Sequence, residues 1–157
     1  MDLNKLAQKI ISQNEYLTLA TMNDEGKPWT CILAYCFDKD YSFYFVSLPT
    51  SQHARHFTKN NGVAFSIFDS HQEFGTGVGL QIEAEAMEVH STMGNEVEKL
   101  YFSRVYPYGT INNGFVKGLR VLLKNGTYKF YKLTPRDIWI NDPGADTDKR
   151  VKVFLKG

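Results

Sequence analysis

The sequence predicts one mainly β domain, an antiparallel sheet closed or nearly closed into a barrel and flanked by helices. Three observations carry this fold class. Five early segments rich in β-branched and aromatic residues are separated by short clusters of turn formers. Two more such segments follow late in the chain, and the helical patterns do not alternate with strands as in a doubly wound sheet. A length of 157 residues with 43% apolar and 14% aromatic content is enough for one good core and few for two, so a single domain is expected.

Asp2 is placed to cap a first helix, in which Leu3, Leu6, Ile10 and Ile11 follow helical spacing until about Asn14. Tyr16 to Met22 reads as a strand, followed by the turn formers Asn23 to Pro28. Trp29 to Phe37 reads as one further strand, and Tyr41 to Leu48 as the next, with Asp38-Lys39-Asp40 between them. Thr50 to Lys59 suits a short crossing helix capped by Ser51, with Ala54 and Phe57 three apart. Gly62 to Phe68 is a fourth strand. Val78 to Val89 is a long fifth one, in which Leu80, Ile82, Ala84 and Ala86 alternate with Gln81, Glu83 and Glu85.

Thr92 to Tyr106 is helical by the stripe Val97, Leu100, Tyr101 and Val105. Asn113 to Lys124 fits neither period cleanly and is read as a helix in preference to a strand. Tyr128 to Leu133 and Ile138 to Ile140 read as two late strands separated by Thr134-Pro135-Arg136-Asp137. Asp142 to Arg150 is polar enough to form a loose tail before Val151 to Leu155. The sequence has no internal repeat and no low-complexity run.

The net charge is +1, with 18 basic and 17 acidic residues interspersed, so no broad positive field exists to hold a nucleic-acid backbone. Apolar stretches such as Ile32 to Phe37 fall far short of the roughly 20 residues that span a bilayer. Asp2, Asn4 and Lys5 do not follow the order of a signal peptide, which makes the cytoplasm the expected location. Cys31 and Cys36, five apart on what reads as one strand, point to opposite faces and are expected to be buried free thiols.

Leu19-Ala20-Thr21-Met22, then Gly26-Lys27-Pro28, then the apolar strand from Trp29 resembles the opening of the pyridoxamine 5'-phosphate oxidase-like FMN-binding split-barrel family. That family continues with an aromatic-x-Thr/Ser strand end, followed four residues later by Ser-x-Lys opening a short helix. The corresponding residues here are Phe45-Val46-Ser47 and Ser51-Gln52-His53, and Glu83-Ala84-Glu85-Ala86 resembles the family's Glu-Gly-x-Ala. The match covers roughly the first ninety residues. The remainder is similar to a small bacterial branch of the same superfamily.

The resemblance implies a split barrel that holds FMN in the groove of a homodimer. By position it implicates Cys31, Ile32, Leu33, Val46, Ser47, Ser51, Gln52 and His53 in cofactor binding. A dianionic phosphate needs several donors or fixed positive charges, and a helix start supplies free N–H groups and the positive end of a dipole. Two departures concern that phosphate. Cys31 stands where classical members carry Arg, and His53 where they carry Lys; charge-assisted contacts of this kind contribute roughly 1.5–3 kcal/mol each. Arg55, one helical turn on, is the candidate to compensate.

Other side chains have plainer readings. The plainer reading of Ser51 is a helix cap. His53 and His56 lack a carboxylate or Cys at matching spacing, so no metal is expected. Gly75, Gly77 and Gly79 precede a strand and are no phosphate cradle. Trp29, Trp139, Tyr106 and Tyr108 are candidates to stack on a flavin from a partner subunit, with core or interface positions as the commoner alternative. No catalytic triad or paired acid stands out. The expected function is therefore an FMN-dependent oxidoreductase acting on a small molecule, with the cofactor supplying the chemistry. The alternatives are a flavin- or haem-binding protein without turnover, and a barrel that has lost its ligand.

Overall fold

The computed structural model describes residues 1–104 and 113–155. Among them, helix α1 (Leu3–Gln13) is capped by Asp2, whose carboxylate accepts from the N–H groups of Asn4 and Lys5. It buries Ala7 and Ile11 against the sheet. Strands β1 (Tyr16–Met22) and β2 (Pro28–Ala34) pair antiparallel in full register, from Tyr16 opposite Ala34 to Met22 opposite Pro28. Their turn is set by Asn23, whose Oδ1 accepts from the N–H of Glu25 and of Lys27, and by Gly26 at φ +79°.

The expected strand Trp29 to Phe37 is two strands. β2 ends at Ala34, and β3 (Cys36–Phe37) belongs to the other edge of the sheet, whose order is β2-β1-β5-β6-β7-β4-β3. Here β4 is Phe43–Ser47, β5 Gly62–Phe68, β6 Gly79–Glu88 and β7 Lys129–Asn141. The chain thus steps from one edge to the other through a single residue, Tyr35, and this covalent step spans the seam of the split barrel. Tyr35 is fully buried there; its hydroxyl donates to the Ile11 carbonyl at 2.7 Å and its N–H to the Glu15 carbonyl at 3.1 Å. Arg104 straps the same seam, donating to the carbonyls of Tyr35 and Asn14 while its guanidinium lies 4.6 Å from the centre of the Tyr35 ring.

The two late strands are likewise one. β7 runs unbroken for 13 residues, pairing with β4, β6 and β8 (Arg150–Val153). The turn-like Thr134 to Asp137 is a β-bulge: Glu83 lies opposite Asp137 and Ala84 opposite Pro135, leaving Arg136 as the extra residue. A bulge tolerates a proline that a regular central strand does not, and pairing on both sides of it overrides the local turn preference. The polar stretch expected to be a loose tail is the loop of the β7–β8 hairpin, closed by Asp142 N–H to the Lys149 carbonyl at 2.9 Å.

The crossing helix is α2 (Gln52–Lys59), capped by Ser51. A 3₁₀ turn (Ser91–Met93) precedes α3 (Gly94–Ser103), and the ambiguous segment is α4 (Asn113–Lys124). The helix expected to reach Tyr106 ends earlier, at Ser103, because Arg104 turns extended at φ −66° and ψ 126°; Tyr106 and Tyr108 lie outside the described residues. The result is the mainly antiparallel, curled sheet with flanking helices that the sequence predicts.

Two clusters are buried. The interior cluster gathers Leu17, Leu19, Phe43, Phe45, Phe65, Ile82, Leu133 and Ile140 with Ala7 and Ile11 of α1. The second, on the opposite face of β3 and β4, consists of Cys36, Tyr44, Val97, Tyr101, Leu119 and Phe130. Strand alternation divides β4 between them: Phe43 and Phe45 enter the first, while Tyr44 enters the second with Val46 packed against it.

Candidate functional site

β4 delivers Ser47 to the start of α2, where Ser51 caps the helix and His53 sits in its first turn. The three side chains meet. His53 Nε2 is 2.7 Å from Ser47 Oγ and 3.0 Å from Ser51 Oγ, and Ser47 Oγ donates to Ser51 Oγ at 3.3 Å. His53 is only 8% exposed, with the ring of Phe45 6.1 Å away edge-on. Burial, with His56 nearby, lowers its pKa, so the imidazole is neutral near pH 7. Ser51 Oγ also accepts from the Ala54 N–H at 3.4 Å, and the N–H groups of Gln52 and His53, in the first turn, have no intrahelical acceptor. The arrangement presents hydroxyls, backbone donors and an imidazole at one helix start, a donor set suited to an anion.

The remaining sequence-selected residues are dispersed around this cluster. Cys31 and Leu33 lie opposite Leu19 and Leu17 and face the barrel interior, whereas Ile32 lies opposite Thr18 on the outer face and is 72% exposed. Val46 faces away from Ser47, towards the second cluster, and the Gln52 side chain is exposed. Burial pushes the Cys31 thiol up to about 11 and Cys36 to about 12, which keeps both protonated and poorly nucleophilic.

Sequence reasoning missed Thr21. Its hydroxyl, buried at the inner end of β1, lies 3.0 Å from His56 Nδ1, tying α2 to the barrel. A threonine at an inward position of an alternating strand was the available signal. Beside it is a pocket of about 450 Å³ whose lining includes Asn23, Asp24, Pro49, Arg55, His56 and Lys59. Lys59 pairs with Asp24, whereas Arg55 makes no ion pair among the described residues. No group of three His, Cys, Asp or Glu side chains suited to a metal ion occurs among the described residues. No helix there is long and apolar enough to cross a membrane.

A split barrel with a serine-histidine cluster at the junction of β4 and α2 defines a class, and the comparisons give that class its family. The chain belongs to the pyridoxamine 5'-phosphate oxidase family, whose model matches residues 3–140. A search of curated sequences returns no significant match. Among solved structures, a haem-binding protein from Mycobacterium smegmatis superposes with a TM-score of 0.74 at 12% identity, over 97% of this chain and 58% of that one. A protein of unknown function from Agrobacterium tumefaciens gives 0.72 at 16% identity, over 96% and 61%. The haem storage protein HutZ from Vibrio cholerae gives 0.68 at 17% identity, over 87% and 92%. At these identities the likeness is one of fold. The chain spans about three fifths of the length of the first two.

Proposed function

We propose that this protein binds FMN in the groove of a homodimer and acts as a flavin-dependent oxidoreductase on a small molecule. The observation that carries the reading is the convergence of Ser47, Ser51 and His53 at the start of α2, in a chain of this family. In the proposed complex, the free N–H groups of Gln52 and His53, the two hydroxyls and Arg55 hold the phosphate. The fit is good in donors and poor in fixed charge, because His53 is neutral and Cys31 is a thiol. The backbone of Cys31, Ile32 and Leu33, with Val46, is proposed to border the ring. A bound flavin supplies hydride or single-electron transfer; the protein positions the substrate.

The homodimer is supported by the outer face of β1, β2 and β5. Exposed Tyr16, Ile32 and Phe68 share this face with the smaller Thr18, Ala20, Ala64 and Ser66, so it carries large apolar side chains and no charge at these positions. Trp139, which continues the cross-strand row from Ile32 through Thr18, Ser66 and Gln81, is the proposed partner-facing aromatic. The second reading, a haem carrier without turnover, is favoured by the two haem proteins that share the fold.

The test is to titrate the full chain with FMN while following flavin fluorescence, then with haemin while following the Soret band, and to add a nicotinamide nucleotide and an electron acceptor. Saturable FMN quenching, lost in a Ser51→Ala, His53→Ala double variant, with reduction and reoxidation of the bound flavin, is the expected result. Binding without turnover leaves a flavin carrier. A Soret band alone moves the assignment to haem, and neither signal removes the cofactor.

A further inference from the structure

His53 stands where a fixed cation is missing from the phosphate cluster, and its surroundings admit it in two protonation states. Nε2 lies 2.7 Å from Ser47 Oγ and 3.0 Å from Ser51 Oγ, while Nδ1 makes no hydrogen bond among the described residues. Both hydroxyls can donate or accept, so the neutral ring and the imidazolium each find partners there. Charge decides between the two states. The groups facing His53 supply no counter-charge. On α2, Arg55 and Lys59 are cations, Lys59 already paired with Asp24, and His56 opposes a second positive charge. β4 turns Phe45 and Ser47 towards the ring. β1, β2 and β6, against which α2 packs, place Leu19, Thr21, Cys31, Leu33, Ala84 and Ala86 at inward positions, all uncharged at neutral pH. β7 sets Tyr131, its phenol pushed up to about 12, beside Phe57, and Lys129 opposite Ser47, where Lys129 is paired with Glu88. No carboxylate forms an ion pair with His53 among the described residues.

The counter-charge missing from the protein is present on a flavin phosphate. A phosphate monoester loses its second proton near about pH 6 and is dianionic above neutrality. An opposite charge within about 4–6 Å favours the protonated imidazole. Phosphate binding and protonation of His53 therefore reinforce one another, each raising the affinity for the other by the same factor. Resting on the FMN reading above, we propose that His53 takes up one proton when the flavin phosphate binds, so that the site selects a phosphorylated flavin over an unphosphorylated one more strongly as pH falls towards neutrality. A lysine at this position would carry its charge with or without the ligand; histidine makes the charge depend on it. Because protonated His53 belongs to the complex and neutral His53 to the free protein, FMN affinity falls as pH rises, by at most about tenfold per pH unit for one proton.

Titrations of the full chain with FMN and with riboflavin, followed by flavin fluorescence between about pH 7 and about pH 8.5, test the proposal; over this range the phosphate stays dianionic. The expected result is FMN binding that weakens at least about threefold from the lower to the higher pH, while riboflavin, which lacks the phosphate, shows no such slope. Calorimetry in two buffers of different ionisation enthalpy should show uptake of more than about half a proton per FMN at about pH 7. His53→Lys should bind FMN without a pH slope. His53→Gln should bind it weakly and without a slope, whereas His56→Gln should keep the slope. Should His53→Lys fail to fold, His53→Gln decides. Saturable FMN binding that is flat in pH, with no proton uptake, overturns the coupling and leaves the FMN reading standing. So does a slope that survives His53→Gln or disappears in His56→Gln. No saturable FMN binding at any pH removes the reading and the coupling together.

Discussion

The two faces of β4 are built to different standards. Towards the barrel interior, Phe45 packs between Phe57, Tyr131 and His53, with ring centroids 6.3, 5.4 and 6.1 Å away, and is wholly buried. Towards α3 and α4, Val46 and Leu119 border a pocket of about 320 Å³. A curled sheet wraps its interior on several sides and forces dense packing. A pair of helices laid on the outside covers only one side, and gaps survive. The difference assigns stability to one face and leaves adaptability to the other.

Phe45→Ala should break the comparison at its strong end. Loss of an aromatic with no exposed surface costs about 3–5 kcal/mol, enough to bring a domain of this size near its unfolding threshold. Denaturant unfolding would measure it, and a loss below about 1 kcal/mol would mean that the interior is not tightly packed. Leu119→Ala should cost about 2 kcal/mol, the low end for a buried leucine, because its surroundings already contain space. Equal losses at the two sites would erase the distinction.

Ser51→Ala comes next, at about 1 kcal/mol from the lost cap on α2. Here the larger readout is FMN quenching, which should fall by more than the loss of stability accounts for. The smallest effect is a pH dependence. His53 has its pKa lowered in the folded protein, so the unfolded chain binds the proton more readily. Its contribution to stability is present above the ordinary histidine pKa and is lost as pH falls through about 6.5 towards the depressed value. Melting temperatures of the ligand-free protein at a series of pH values should show this loss, and His53→Gln should flatten it.

Most strands were legible because their alternation matches their burial. In β6, Leu80, Ile82, Ala84 and Ala86 all face inward, as the spacing predicts. The errors arise where tertiary pairing overrides local composition. Nothing in Leu33-Ala34-Tyr35-Cys36 marks a seam, because the break is defined by which edges the flanking residues join. Pro135 reads as a turn until strands on both sides of it supply a ladder that accommodates a bulge. At the site, the Ser47, Ser51 and His53 cluster was legible from spacing and resemblance. The Thr21–His56 contact was not, since the two residues are 35 apart in sequence and nothing between them carries a pattern that predicts the approach of α2 to β1.

The position of β7 also bears on how the chain is made. Val46 has no strand to lie against on that edge until Phe130, 84 residues further on, has been synthesised. At roughly 5–20 residues per second on a ribosome, that is a wait of about 4–17 s. During it the aromatic-rich segment Phe43–Ser47 is an unsatisfied strand edge in the nascent chain, the kind of segment that invites wrong partners. Long-range pairing of this sort also slows folding of the completed polypeptide. Lower yields on faster or hotter expression would therefore be a property of strand order, independent of how stable the finished barrel is.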